Sequence, residues 1–220
     1  MNRAYELIVF DWDGTLMDSA AKIVRCFQCA AADAGLPPPP DHAIRNIIGL
    51  GLKEALDLVL PGTDDTVREQ VVACYRRHFI HLDNTETPLF PGVREGLDKL
   101  AAAGYRLAIA TGKARRGLDR VLRDTAISHY FCATRCADEA RSKPHPQMLH
   151  DLLDCTGVPA ERAVMIGDTT YDLQMAAAAA VGGVAVTYGA HERERLLAHK
   201  PLGCFDSFGG LCDWLQPASS

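Results

Sequence analysis

Five short apolar runs recur along this chain, with helix-patterned stretches between them: Leu7–Phe10, 106–110, 130–133, 163–166 and 183–187. Each is short, bounded by turn residues and apolar or β-branched at most positions, so each reads as a strand buried on both faces. Parallel strands need long crossovers, and the intervening helices supply them. The pattern predicts an α/β fold: a Rossmann-like three-layer sandwich with a central parallel sheet. With 48% hydrophobic and 23% charged residues among 220, the chain can bury a core of that size. The length suits one large domain or a core domain with a smaller insert.

The crossover between the first two runs is far longer than the others. Asp18 and Ser19 can cap a helix beginning at Ala20. Ile23, Phe27, Ala30, Ala31 and Ala34 share one face of it. Gly35 and the prolines at 37–40 end it. Further helices are expected over 41–48, 52–60 and 64–82, and segment 87–92 returns to the core. This organisation predicts an inserted small helical cap domain over 18–87 and an α/β core domain made of 1–17 and 88–220. Near the end, 204–206 reads as a last short strand and Phe208–Leu215 as a last helix. The alanines at 177–180 read as helix.

The formal net charge of −5 gives no basic patch for nucleic acid. No apolar run approaches a membrane span. The six residues before the first run carry no signal-peptide pattern, so a cytoplasmic protein is expected. Eight cysteines lack zinc-ribbon spacing, and Cys26 and Cys29 lie within a helical pattern. Most are expected to be small buried apolar groups.

Polar clusters follow the strands. Asp11 and Asp13 stand at the carboxyl end of the first run, ahead of Gly14 and Thr15. In an open α/β sheet ligands bind at that end. Thr111, Gly112 and Lys113 follow the second run, where a hydroxyl and turn N–H groups can hold phosphate oxygens. Lys143 lies between Ser142 and Pro144 in a turn that fixes its position. Asp168 and Asp172 follow the fourth run, one helical turn apart. Each cluster alone also fits an ordinary cap, turn or exposed lysine. Strands of one sheet bring them to one crevice, where four carboxylates face Lys143. Such crowding calls for a protonated acid, a hard divalent cation such as Mg²⁺, or both.

In this order, Asp11-Trp12-Asp13-Gly14-Thr15-Leu16, Thr111-Gly112-Lys113, Lys143-Pro144 and Gly167-Asp168-Thr169-Thr170-Tyr171-Asp172 resemble the haloacid dehalogenase-like hydrolase superfamily. More narrowly, the chain is similar to its phosphoglycolate phosphatase-like group, over essentially its whole length. The resemblance implies a Mg²⁺-dependent phosphatase acting on a small phosphorylated metabolite. Asp11 would be the nucleophile and Asp13 the general acid and base, with its backbone carbonyl on the metal. Thr111 and the Gly112 backbone would bind phosphate. Lys143 would steady nucleophile and phosphate. Asp168 would ligate Mg²⁺ directly, and Asp172 through water or Lys143. The presence of Asp13 favours phosphoryl transfer over carbon–halogen cleavage. The insert would be a closing cap with possible substrate contacts at Arg45, Gly49 and Lys53. His42 and His191 read as surface residues. Ala180 stands where relatives often have the glycine that ends a helix. A monomer or homodimer is expected. Two alternatives stay open: a phosphomutase of the same superfamily, or a catalytically silent binding or regulatory protein.

Overall fold

The computed structural model describes residues 4–216. Strand β1 (Leu7–Phe10) is buried at every position and lies inside a six-stranded sheet of order β3-β2-β1-β4-β5-β6. The other strands are β2 (Arg106–Thr111), β3 (Phe131–Cys136), β4 (Ala163–Gly167), β5 (Gly182–Val186) and β6 (Cys204–Phe205). All adjacent pairs are parallel, with Leu7 opposite Arg106 on one side and Ala163 on the other. This order turns outward in both directions from β1, so the crevice at the strand ends opens beside β1.

Helices α1 (Ala20–Asp33), α2 (Asp41–Arg45), α3 (Leu52–Val59) and α4 (Asp65–Arg77) fill the first crossover; α4 widens into a π-helical turn at His78–Leu82. Then come α5 (Val93–Ala102), α6 (Arg115–Thr125), α7 (Gln147–Thr156), α8 (Thr170–Ala178), α9 (Arg193–Leu197) and α10 (Phe208–Leu215). Strand alternation sorts the core into two apolar layers. Ile8, Phe10, Leu107, Ile109 and Val164 face Leu97 of α5, Leu118 of α6 and Phe208 of α10. Leu7, Val9, Ala108 and Met165 face Met148 and Leu152 of α7 and Met175 of α8. The three-layer α/β sandwich is therefore present.

Helices α1 to α4 share an apolar cluster of their own. Ile23, Val24 and Phe27 of α1 meet Ile44, Ile47, Ile48, Leu56 and Val71 there. Tyr171 and Ala190 from the sheet side pack against that cluster.

Three expectations need correction. The run at 130–133 is not buried on both faces: β3 is an edge strand, mostly half-buried, with Cys132 exposed. Only Cys26, Cys136 and Cys212 are buried; Cys155 is also exposed. The alanines at 177–180 are not all helical. Helix α8 stops at Ala178, and Ala180 turns the chain at φ 55°.

Candidate active site

The β1 ladder runs one residue past the strand: the Asp11 N–H donates to the Ile166 carbonyl at 2.9 Å. That bond fixes where the Asp11 side chain emerges. Trp12 then buries its ring in the core, and its indole N–H donates to Met17 Sδ at 3.2 Å. The N–H groups of Leu16 and Met17 return to the Trp12 carbonyl, both at 3.0 Å, closing the turn. Gly14 sits in this turn at φ 84°, where a Cβ would lie 2.1 Å from Asp168 Oδ2. Only glycine satisfies both the backbone and that approach.

Lys143, beside a cis peptide to Pro144, reaches in from its loop and is fully buried. Its Nζ lies 2.7 Å from Asp11 Oδ1 and 2.7 Å from Asp172 Oδ1. The other Asp172 oxygen accepts from the Thr169 N–H at 3.1 Å and the Thr169 hydroxyl at 2.7 Å, completing a capping box for α8. Asp172 thus caps a helix and pairs with the site lysine at once. Asp168 Oδ1 accepts from the Thr15 hydroxyl at 2.7 Å, and its Oδ2 from the Ala190 N–H at 2.7 Å.

Three buried carboxylates therefore gather near one ammonium, which pairs with Asp11 and Asp172, while Asp168 is held by Thr15 and Ala190. Burial holds the Asp11 carboxyl well above the ordinary range; Lys143 opposes this, while Asp172 and Asp168 add to it. Asp168 is pushed up to about 7 by burial and then by Asp172. Burial alone would lower the Lys143 ammonium, but Asp11 and Asp172 reverse that and hold it raised. Carboxylate oxygens of Asp11, Asp168 and Asp172 come within 4.8 Å of one another. Asp11 Oδ2 is buried without a hydrogen-bond partner. A hard divalent cation fits such a donor set: it is all oxygen, over-charged, and has a buried oxygen left to fill.

Asp13 is arranged differently. Its Oδ1 accepts from the Ser19 hydroxyl at 2.5 Å and lies 2.9 Å from Lys113 Nζ. Its carboxylate is outside the cluster of three. Ser19 occupies the N-cap position of α1 yet makes no capping bond with its side chain; its hydroxyl donates to Asp13 instead. Lys113 and Ser19 thus add a cation and a donor that the four-motif pattern left without roles. Lys113 Nζ also stands 5.1 Å over the Phe79 ring, which Lys22 and Arg120 face at 5.2 and 5.7 Å.

Thr111 is buried at the end of β2, and its hydroxyl accepts the Lys113 N–H at 3.2 Å. A Cβ on Gly112 would lie 2.4 Å from the Leu50 carbonyl oxygen and 2.6 Å from that of Gly49. The chain segment 46–51 therefore lies directly on the second strand-end loop. Gly49, at φ 97°, faces Thr169 there. Arg45 is half-buried at the end of α2 and Lys53 exposed on α3; among the described residues, no polar contact ties either to the strand ends. His42 is exposed, as expected. His191 is not: it is 2% exposed, because the 46–51 turn packs over it. Nothing local in the sequence marks that burial.

A family model described as haloacid dehalogenase-like hydrolase matches residues 8–186. The chain is 38% identical over 208 residues to "Probable phosphatase IndB" of Dickeya dadantii, covering 92% of this chain and 90% of that one. It is 33% identical over 214 residues to the phosphoglycolate phosphatase of Colwellia psychrerythraea, covering 94% and 95%. The crystal structure of a "predicted phosphoglycolate phosphatase" from Haemophilus somnus superposes with a TM-score of 0.86 at 25% identity, covering 97% and 99%.

Proposed function

We propose, since the chain belongs to the haloacid dehalogenase-like hydrolase family, that it is a Mg²⁺-dependent phosphatase that hydrolyses a small phosphate monoester through a phosphorylated aspartate. The observation that carries this reading is the buried trio Asp11, Asp168 and Asp172, two of which pair with Lys143, with Asp13 held beside it on Lys113 and Ser19.

Asp11 attacks phosphorus, and the bond from phosphorus to the ester oxygen breaks. Asp13 gives its proton to that oxygen, so the leaving group departs as an alcohol. Asp13, now a carboxylate, takes a proton from water as the water oxygen attacks phosphorus. The bond to Asp11 breaks, phosphate leaves, Asp11 regains its carboxylate and Asp13 its proton. Lys143 holds Asp11 in place, while the Thr111 hydroxyl and the Gly112 N–H hold phosphate oxygens. Asp11, Asp168 and the Asp13 carbonyl would hold Mg²⁺, with Asp172 acting through water or Lys143. The bound ion supplies positive charge to the phosphoryl oxygens. Residues 18–87 act as a cap that excludes water from the cleft.

A phosphoglycolate-like ester is the substrate class we favour over a sugar phosphate or nucleotide. Lys22, Lys113 and Arg120 around one ring favour a leaving group that is itself anionic. Eight unpaired cysteines fit a reducing, cytoplasmic setting.

The test is phosphate release from a panel of phosphorylated acids, sugars and nucleotides, with Mg²⁺ and with chelator. Release is expected only with Mg²⁺ and fastest with phosphorylated acids. Asp11→Asn should lower it on the order of 10⁴-fold or more, as loss of a nucleophile does. Full activity in pure Asp11→Asn protein would contradict the assignment, as would isomer interconversion without net phosphate release.

A further inference from the structure

The 46–51 turn that joins α2 to α3 is pinned to the strand-end loops at several points. The Gly51 N–H donates to Ser142 Oγ at 2.7 Å, Gly49 faces Thr169, and Gly112 lies under the Gly49 and Leu50 carbonyls. At the other end of the turn the contacts converge on Asn46. The Tyr171 hydroxyl donates to its carbonyl at 2.9 Å, His191 Nε2 lies 3.2 Å from the same oxygen, and the Arg195 guanidinium donates to its Oδ1.

Among these three partners His191 is the buried one. Its Nδ1 accepts the Thr170 N–H at 3.1 Å. A neutral ring that accepts at Nδ1 carries its proton on Nε2, and that proton points to the Asn46 carbonyl. The ring thus ties the first residue of α8, the helix that carries Asp172, to a turn that lies 145 residues from His191 in sequence. The Tyr171 and His191 rings meet edge to face at 5.5 Å, which holds both donors on one oxygen.

We propose that His191 is a positioning residue: with Tyr171 and Arg195 it latches the 46–51 turn down over the strand ends by gripping Asn46, with no part of the substrate involved. This rests on the reading of 18–87 as a closing cap. A small phosphate ester offers few contacts with which to favour the closed state. Contacts made by the protein itself supply the difference in free energy between closed and open.

Hydrogen exchange of the substrate-free full chain tests the latch. His191→Gln sets an amide near the Nε2 position and can still donate to Asn46. His191→Asn sets one near Nδ1, so it keeps the Thr170 contact but falls short of Asn46. Tyr171→Phe removes the second donor and covers the case in which a position-191 variant fails to fold. Amides of 46–51 should exchange roughly three- to ten-fold faster in His191→Asn and in Tyr171→Phe, as for loss of one hydrogen bond. They should stay near native in His191→Gln, with exchange in β1 and β4 unchanged in all three. In the two weakened variants kcat/KM for p-nitrophenyl phosphate should fall by a similar factor. Unchanged exchange in every variant would overturn the proposal. So would protection kept by Asn but lost with Gln, which would make the Thr170 contact, not Asn46, the role of His191. The expected exchange pattern in a protein that turns over no phosphate ester would support the latch and defeat the phosphatase reading alone.

Discussion

At Ala180 the backbone takes φ 55° just after α8, a left-handed conformation that costs an L-residue about 1–2 kcal/mol. The side chain is exposed, so it offsets none of this by packing. Ala180→Gly should stabilise the protein by about 1 kcal/mol after the greater entropy of an unfolded glycine is counted. Thermal unfolding should show a rise of about 2–4 °C; a neutral or lower midpoint would contradict the strain at this position. Residues of this kind can be read from sequence only where local geometry decides. Asp11, Lys143, Asp168 and Asp172 were legible because each follows a strand or opens a helix, and a parallel sheet brings such places together. Ser19 was legible only as a helix cap, since its bond to Asp13 depends on which way a hydroxyl turns. Lys113 stood inside a recognised motif, but its pairing with Asp13 is a tertiary fact. His191 was misplaced because its burial comes from a turn distant in sequence.

Among the elements, the central strands were plain because burial on both faces leaves continuous apolar runs. Edge strands carry a weaker signal: β3 is half-exposed and β6 spans two residues. The first helix of the crossover was legible from its capping residues and apolar face, whereas the seating of the 46–51 turn was not, since backbone-to-backbone approach leaves little trace beyond glycine. Gly112 is that trace. Gly112→Ala would drive a methyl group into the Gly49 and Leu50 carbonyls while leaving the buried sheet untouched. The expected result is a near-native melting temperature with kcat/KM lower on the order of a hundred-fold, because a misplacement of about 1 Å in a positioned site costs that much. Steady-state kinetics beside thermal unfolding separates the two; native kcat/KM would show that this turn need not seat on Gly112 during turnover.

Across the whole molecule, the sheet gathers buried acidic side chains, and burial disfavours the charged forms of Asp11 and Asp168. Asp11, Asp168 and Asp172 meet from the ends of β1 and β4, and Lys143 enters from a separate loop to join them. Buried clusters of this kind concentrate at functional sites, and the proposed phosphoryl transfer with a bound cation would use the concentrated charge. The division of labour proposed for the first motif rests on different surroundings: Asp11 lies in the cluster against Lys143, and Asp13 lies apart on Lys113 and Ser19. Covalent trapping tests that division directly. Enzyme quenched during turnover of a phosphate ester with Mg²⁺ is treated with borohydride, which reduces an aspartyl phosphate to homoserine, and the peptides are sequenced by mass spectrometry. The account predicts homoserine at position 11 alone; homoserine at position 13, or none at any aspartate while phosphate is being released, would contradict it.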